Sequence, residues 1–134
     1  KKKIPVMGHV GLLPQYSNNF KLRGKKLFQR KKILEDAISL SDAGVFAIVI
    51  ECVVESLAKE ITNTVPVPTI GIGASKYCDG QILVIDDIIG LSNLNPKFVK
   101  KYSNVEEIIE KSVKRYCKDV KRRKFPSSQH VYKL

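Results

Sequence analysis

The sequence predicts an α/β fold in which parallel strands are joined by crossover helices. Three observations carry that expectation. Short apolar runs rich in β-branched residues alternate with stretches of helical period. Turn-forming residues fall between them. Hydrophobic residues make up 43% of the chain and charged residues 28%, the balance of a globular protein. At 134 residues the chain is long enough to bury a core, and residues 1–134 are expected to form one domain.

Taken in order, residues 4–7 predict a first strand running into Gly8-His9. Residues 11–19, with Gly11, Pro14 and two asparagines, predict a loop. Over residues 27–43, Ile33, Leu34, Ala37, Ile38 and Leu40 recur at helical spacing, and Gly44 is placed to stop the helix. Residues 45–50 are uninterrupted apolar sequence, the mark of a strand buried on both faces. Leu57, Ala58, Ile61 and Val65 mark a second helix, residues 68–72 a third strand and residues 81–85 a fourth. Val105, Ile108, Ile109, Val113, Tyr116 and Val120 make the most regular helical stripe, with Ser103 and Glu106 spaced as a capping box.

Composition narrows the function. No apolar run approaches the roughly 20 residues of a spanning helix. The opening Lys1-Lys2-Lys3-Ile4-Pro5 has neither an initiator Met nor the apolar core of a signal peptide, as expected for a piece of a longer chain. Lysine and arginine total 24 against 13 acids, for a net charge of +11. The excess gathers in residues 25–32 and in a basic tail at 118–134, on expected helices and ends, while the expected strands are nearly uncharged. That distribution reads as a solvated lysine-rich surface rather than a nucleic-acid platform, in which aromatic and basic residues interleave. Cys52, Cys78 and Cys117 are odd in number, widely spaced and without a Cys-x-x-Cys, which argues against a disulfide framework and a zinc site and fits a reducing compartment. Cys52 and Cys117 fall in apolar-periodic segments and are expected in the core.

Polar residues collect where the strands are expected to stop: His9 after the first, Glu51 after the second, Gly71-Ile72-Gly73-Ala74 after the third, Asp86-Asp87 after the fourth. Carboxyl ends of parallel strands share one edge, and in barrels that edge carries the chemistry. His9 and Glu51 would therefore sit side by side. Each has a structural alternative, a hydrogen-bonded histidine or a paired carboxylate, although a carboxylate directly after an apolar strand is costly if unpaired. Gly71-Ile72-Gly73 lacks the third glycine of a nucleotide fingerprint and reads instead as close backbone approach. Asp79-Gly80 is a turn signal. Asp86-Asp87 could bind a cation, but capping of a following short helix is the preferred reading.

A set of these segments resembles the ketopantoate hydroxymethyltransferase family. They are Gly8-His9-Val10-Gly11-Leu12-Leu13-Pro14-Gln15, Ala47-Ile48-Val49-Ile50-Glu51-Cys52-Val53 and Leu57-Ala58-Lys59-Glu60-Ile61-Thr62. Further along come Pro68-Thr69-Ile70-Gly71-Ile72-Gly73-Ala74, Asp79-Gly80-Gln81-Ile82-Leu83-Val84, Pro96-Lys97-Phe98, Phe125-Pro126 and His130. The resemblance implies the second half of a (β/α)₈ barrel of the TIM type. It also implies transfer of a hydroxymethyl group from 5,10-methylenetetrahydrofolate to 3-methyl-2-oxobutanoate, giving ketopantoate for pantothenate synthesis. Glu51 matches the family's proton acceptor and His9 its substrate-side histidine. Magnesium, which chelates the keto acid, would take its ligands from the other half of the barrel, so none is assigned here. The implied partners are the keto acid, the folate, the N-terminal half-barrel and further copies of the chain, in the cytoplasm, or the mitochondrion of a eukaryote.

The departures are local. The loop between Gln15 and Gly24 is shorter than the family's and lacks its Gly-Gly pair, Val54 replaces a proline, Ser75 a glycine and Asp86 a histidine. The competing expectation is a non-catalytic basic α/β module that binds RNA or an acidic partner.

Overall fold

A computed structural model describes residues 4–16 and 21–133. The opening lysines, residues 17–20 (which include the end of the loop expected at 11–19) and Leu134 lie outside the described residues. Two compact units result, one ending at Leu83 and the other beginning at Val84.

The first unit carries a parallel sheet of four strands in the order β1-β2-β3-β4. These are β1 (Met7–Gly11), β2 (Ala47–Glu51), β3 (Thr69–Ile72) and the two-residue β4 (Gly80–Gln81). Helix α1 (Leu27–Asp42) connects β1 to β2, and α2 (Glu55–Thr64) connects β2 to β3. The α/β class and the parallel crossovers are as the sequence predicts, and the arrangement fits half of a (β/α)₈ barrel. Helix α1 closes on Ala43, whose N–H donates to the Ser39 carbonyl, and Gly44 then donates to Ser41.

Two-residue periodicity gives the sheet unlike faces. Val10, Ile48 and Ile50 pack with Ala37 of α1 and with Leu57, Ala58 and Ile61 of α2. Ile48, Ile50, Leu57 and Ile61 are fully excluded from solvent, and each such side chain contributes about 1.5–3 kcal/mol relative to an exposed one. Arg30 ties the helices together, donating to Ser56 Oγ at 2.9 Å and Glu60 Oε2 at 3.0 Å. On the opposite face His9, Val49, Glu51, Ile70 and Ile72 are only partly covered. The doubly buried central strand expected from residues 45–50 is thus corrected in part: Ala47 is buried on the second face, but Val49 and Glu51 on that face are only partly covered.

The first strand forms at Met7–Gly11 rather than residues 4–7, which places His9 inside it. The fourth is confined to Gly80–Gln81 rather than residues 81–85, and Ile85 begins helix α3 (Ile85–Ile89). Asp86 and Asp87 occupy the first turn of that helix, not a strand end, where the amide dipoles favour negative charge.

In the second unit α4 (Val105–Lys121) confirms the expected late helix. Its cap is Asn104 with Glu107, not Ser103 with Glu106. The Asn104 carbonyl oxygen accepts from the Glu107 N–H at 3.4 Å, while its amide donates to Glu107 Oε2 at 3.1 Å. Ser103 Oγ instead donates to the Ile89 carbonyl. The apolar stripe of α4 stays exposed, and so does Cys117, against expectation, whereas Cys52 and Cys78 are buried. The expected basic tail begins inside this helix at Lys118 and ends in a turn at Ser128–His130.

Candidate active site at the end of the second strand

In the parallel register His9 lies opposite Val49 and Gly11 opposite Glu51. His9, Gly11, Val49 and Glu51 therefore share the face that the helices leave open. That register brings the two residues predicted from strand ends together, with His9 Nε2 3.2 Å from Glu51 Oε2. The separation is that of an ion pair, but the ring N–H is not aimed at the oxygen. Buried Nε2 has no well-directed hydrogen bond among the described residues.

Burial pushes the Glu51 carboxyl above its ordinary range, and the charge of nearby His9 pulls it partly back. Burial is the larger influence, so Glu51 holds a proton more readily than a solvated glutamate. A carboxylate of raised proton affinity is a stronger base than a solvated one.

The backbone around the carboxylate is tied on both sides. Leu12 N–H donates to the Glu51 carbonyl at 2.8 Å, and Cys52 N–H donates to the Ile72 carbonyl of β3 at 2.9 Å. Arg23 forms a parallel bridge with Val53, and its N–H donates to the Cys52 carbonyl at 2.7 Å. Cys52 is left-handed, at φ +49°, a region that side-chain-bearing residues seldom enter. Burial, and next the Glu51 charge, raise the pKa of its thiol, which makes it a poor nucleophile. Sequence reasoning missed this turn, because cysteine has no preference for left-handed backbone.

Gly71 does mark close approach rather than a nucleotide loop: a Cβ there would lie 3.1 Å from Cys78 Sγ and from the Gln81 amide. Asp79 is more than a turn residue. Its Oδ2 accepts from both the N–H and the hydroxyl of fully buried Thr69, at 2.8 and 2.9 Å, and Thr69 Oγ1 lies 2.9 Å from Thr62 Oγ1. This network fastens the β3–β4 connection to α2. The Thr69 N–H, chiefly, holds the Asp79 carboxyl below its ordinary range.

Among the described residues no three His, Cys, Asp or Glu side chains gather as metal ligands. None of the described helices is long and apolar enough to cross a membrane.

A parallel α/β sheet with helices on one face and a carboxylate–imidazole pair on the other is consistent with part of a barrel of the (β/α)₈ class. Comparison with known proteins makes that class specific. The family model described as Ketopantoate hydroxymethyltransferase matches residues 1–128, and the chain belongs to that family. A 3-methyl-2-oxobutanoate hydroxymethyltransferase of Pelagibacter ubique is 60% identical over 132 residues, covering 98% of this chain and 51% of the relative. Proteins of the same name from Thermosipho melanesiensis and Clostridium botulinum are 53% and 50% identical, over 97% and 100% of this chain. The chain spans about half the length of the curated relatives it matches.

Proposed function

We propose that this chain supplies the base of a hydroxymethyl transfer from 5,10-methylenetetrahydrofolate to 3-methyl-2-oxobutanoate, the step that yields ketopantoate for pantothenate synthesis. The observation that carries the reading is the Glu51 carboxylate, raised in proton affinity by burial and 3.2 Å from His9 Nε2, in a chain of this family. Glu51 takes the proton from the carbon next to the keto group. The electron pair left behind forms the new carbon–carbon bond to the one-carbon unit, whose two bonds to folate nitrogens both break; water supplies the hydroxyl oxygen, and the proton taken by Glu51 and one from that water end on the two nitrogens, leaving tetrahydrofolate. His9, at the same face, orients the keto acid and steadies the charge on Glu51.

Magnesium is the metal the family resemblance implies. The described residues do not by themselves form a site for it. On the same resemblance, the remaining barrel half and further copies of the chain complete the protein in the cytoplasm.

The test joins this chain to the N-terminal half of the Pelagibacter ubique relative and follows exchange of the keto acid C–H with solvent deuterium by NMR. Glu51→Gln keeps size but cannot accept the proton, so exchange falls by about 10²–10⁴-fold while keto acid binding persists. His9→Asn retains part of the exchange and weakens substrate affinity or displaces the pH profile. Parental exchange in Glu51→Gln overturns the assignment.

A further inference from the structure

The two residues that flank Glu51 in space, rather than any group reaching a substrate, carry an inference beyond the proposed reaction. Gly11 lies in register with Glu51 and has φ +95°. A Cβ on it would stand 2.3 Å from the Glu51 carbonyl oxygen and 2.5 Å from Val53 Cγ2, closer than any relaxed contact. Leu12, the next residue, donates its N–H to that same carbonyl at 2.8 Å. Immediately after Glu51 the chain turns left-handed at Cys52, φ +49°. That turn is held by the Cys52 N–H on Ile72 and the Cys52 carbonyl under the Arg23 N–H. Gly11 reaches its positive φ without strain, whereas a strained residue such as Cys52 persists where its surroundings over-determine it, as at functional sites. Here both unusual positions converge on one peptide, the one that bears the carboxylate.

We propose that Gly11 and Cys52 are positioning residues for Glu51: an absent Cβ on one side and a left-handed turn on the other set the direction of its carboxylate against His9. The inference rests on Glu51 being the base. Neither residue reaches the reacting atoms. The sulfur of Cys52 is incidental; its backbone conformation is what matters. Cys52→Gly, which enters the left-handed region freely, should therefore preserve the geometry. Cys52→Val, whose β-branch opposes that region, should not.

The test is a carbon-13 NMR titration of the glutamate carboxyls in the 134-residue chain, with the Glu51 signal assigned by its loss in Glu51→Gln. In Cys52→Gly, Glu51 should titrate as in the parent. In Cys52→Val and in Gly11→Ala its titration should move down toward the ordinary carboxylate range as the group swings out of its buried position. In the joined protein described above, Cys52→Val and Gly11→Ala should each slow deuterium exchange by about 10²-fold, the scale of a misplacement near 1 Å. A Glu51 titration equal in all variants, or moved as far by Cys52→Gly as by Cys52→Val, overturns the proposal. So does loss of the fold in both Cys52→Val and Gly11→Ala, which would make them determinants of the fold at large. Failure of the base reading shows separately, as parental exchange in Glu51→Gln, and leaves the titration comparison standing.

Discussion

Replacing Ile50 by alanine, and separately its neighbour Val49, tests the two-faced sheet on which the site depends. Ile50 is fully buried against α1 and α2, while Val49 sits on the open face beside Glu51. Ile50→Ala removes three carbons from a site that no solvent reaches. At about 0.8 kcal/mol per buried methylene, the transfer cost alone is roughly 2.4 kcal/mol. The cavity left behind adds to it, since the rigid helix–sheet sandwich closes only partly, and the total falls at about 3–4 kcal/mol. Val49→Ala removes two carbons from a side chain already partly in water, so its loss is at most about 1 kcal/mol. Urea unfolding followed by circular dichroism reads both, with trimethylamine oxide added to keep the weaker variant folded. Equal losses at the two positions would refute the reasoning. They would mean that the face bearing His9 and Glu51 is packed as tightly as the helix-covered one, with no room for a ligand.

Two further outcomes follow from the geometry. Asp79 titrates below its ordinary range because Thr69 donates to it, so its contribution is present above the unfolded value, near 3.8, and fades as pH falls through the lowered folded value. Asp79→Asn should therefore lower the urea midpoint at neutral pH and flatten its acid dependence, and an unchanged acid profile counts against the Thr69 anchor. The 134-residue chain alone, given magnesium, the keto acid and the methylene folate, should form no ketopantoate by mass spectrometry, because its described residues gather no metal-binding cluster. Magnesium-dependent product from the purified chain would overturn that expectation.

Much of this architecture is legible in local sequence. The stripes behind α1 and α2 and the apolar run behind β2 need only side-chain period and the cost of exposing hydrocarbon, and both act within a dozen residues. Glu51 could be singled out because a charge ending an apolar run is expensive anywhere. Family resemblance supplied the chemistry that spacing left open.

Other features depended on contacts between distant segments. Strand β1 formed around His9, three residues later than its apolar run suggests, because pairing with β2 selects the hydrogen-bonded stretch. The late helix took Asn104 as its cap, while Ser103 bonds instead to the Ile89 carbonyl, fourteen residues earlier in the chain. Cys117 has the period of a core residue yet lies exposed, since periodicity names a face and not what covers it.

The α/β class, the parallel rhythm and the carboxylate and imidazole can be read from local stretches of chain, because hydrophobic period and residue chemistry are local properties. Folding brings Glu51 to 3.2 Å from His9, with a glycine against its carbonyl and a left-handed cysteine after it. Register, close approach and backbone strain are properties of two or more strands held together, and no single segment encodes them.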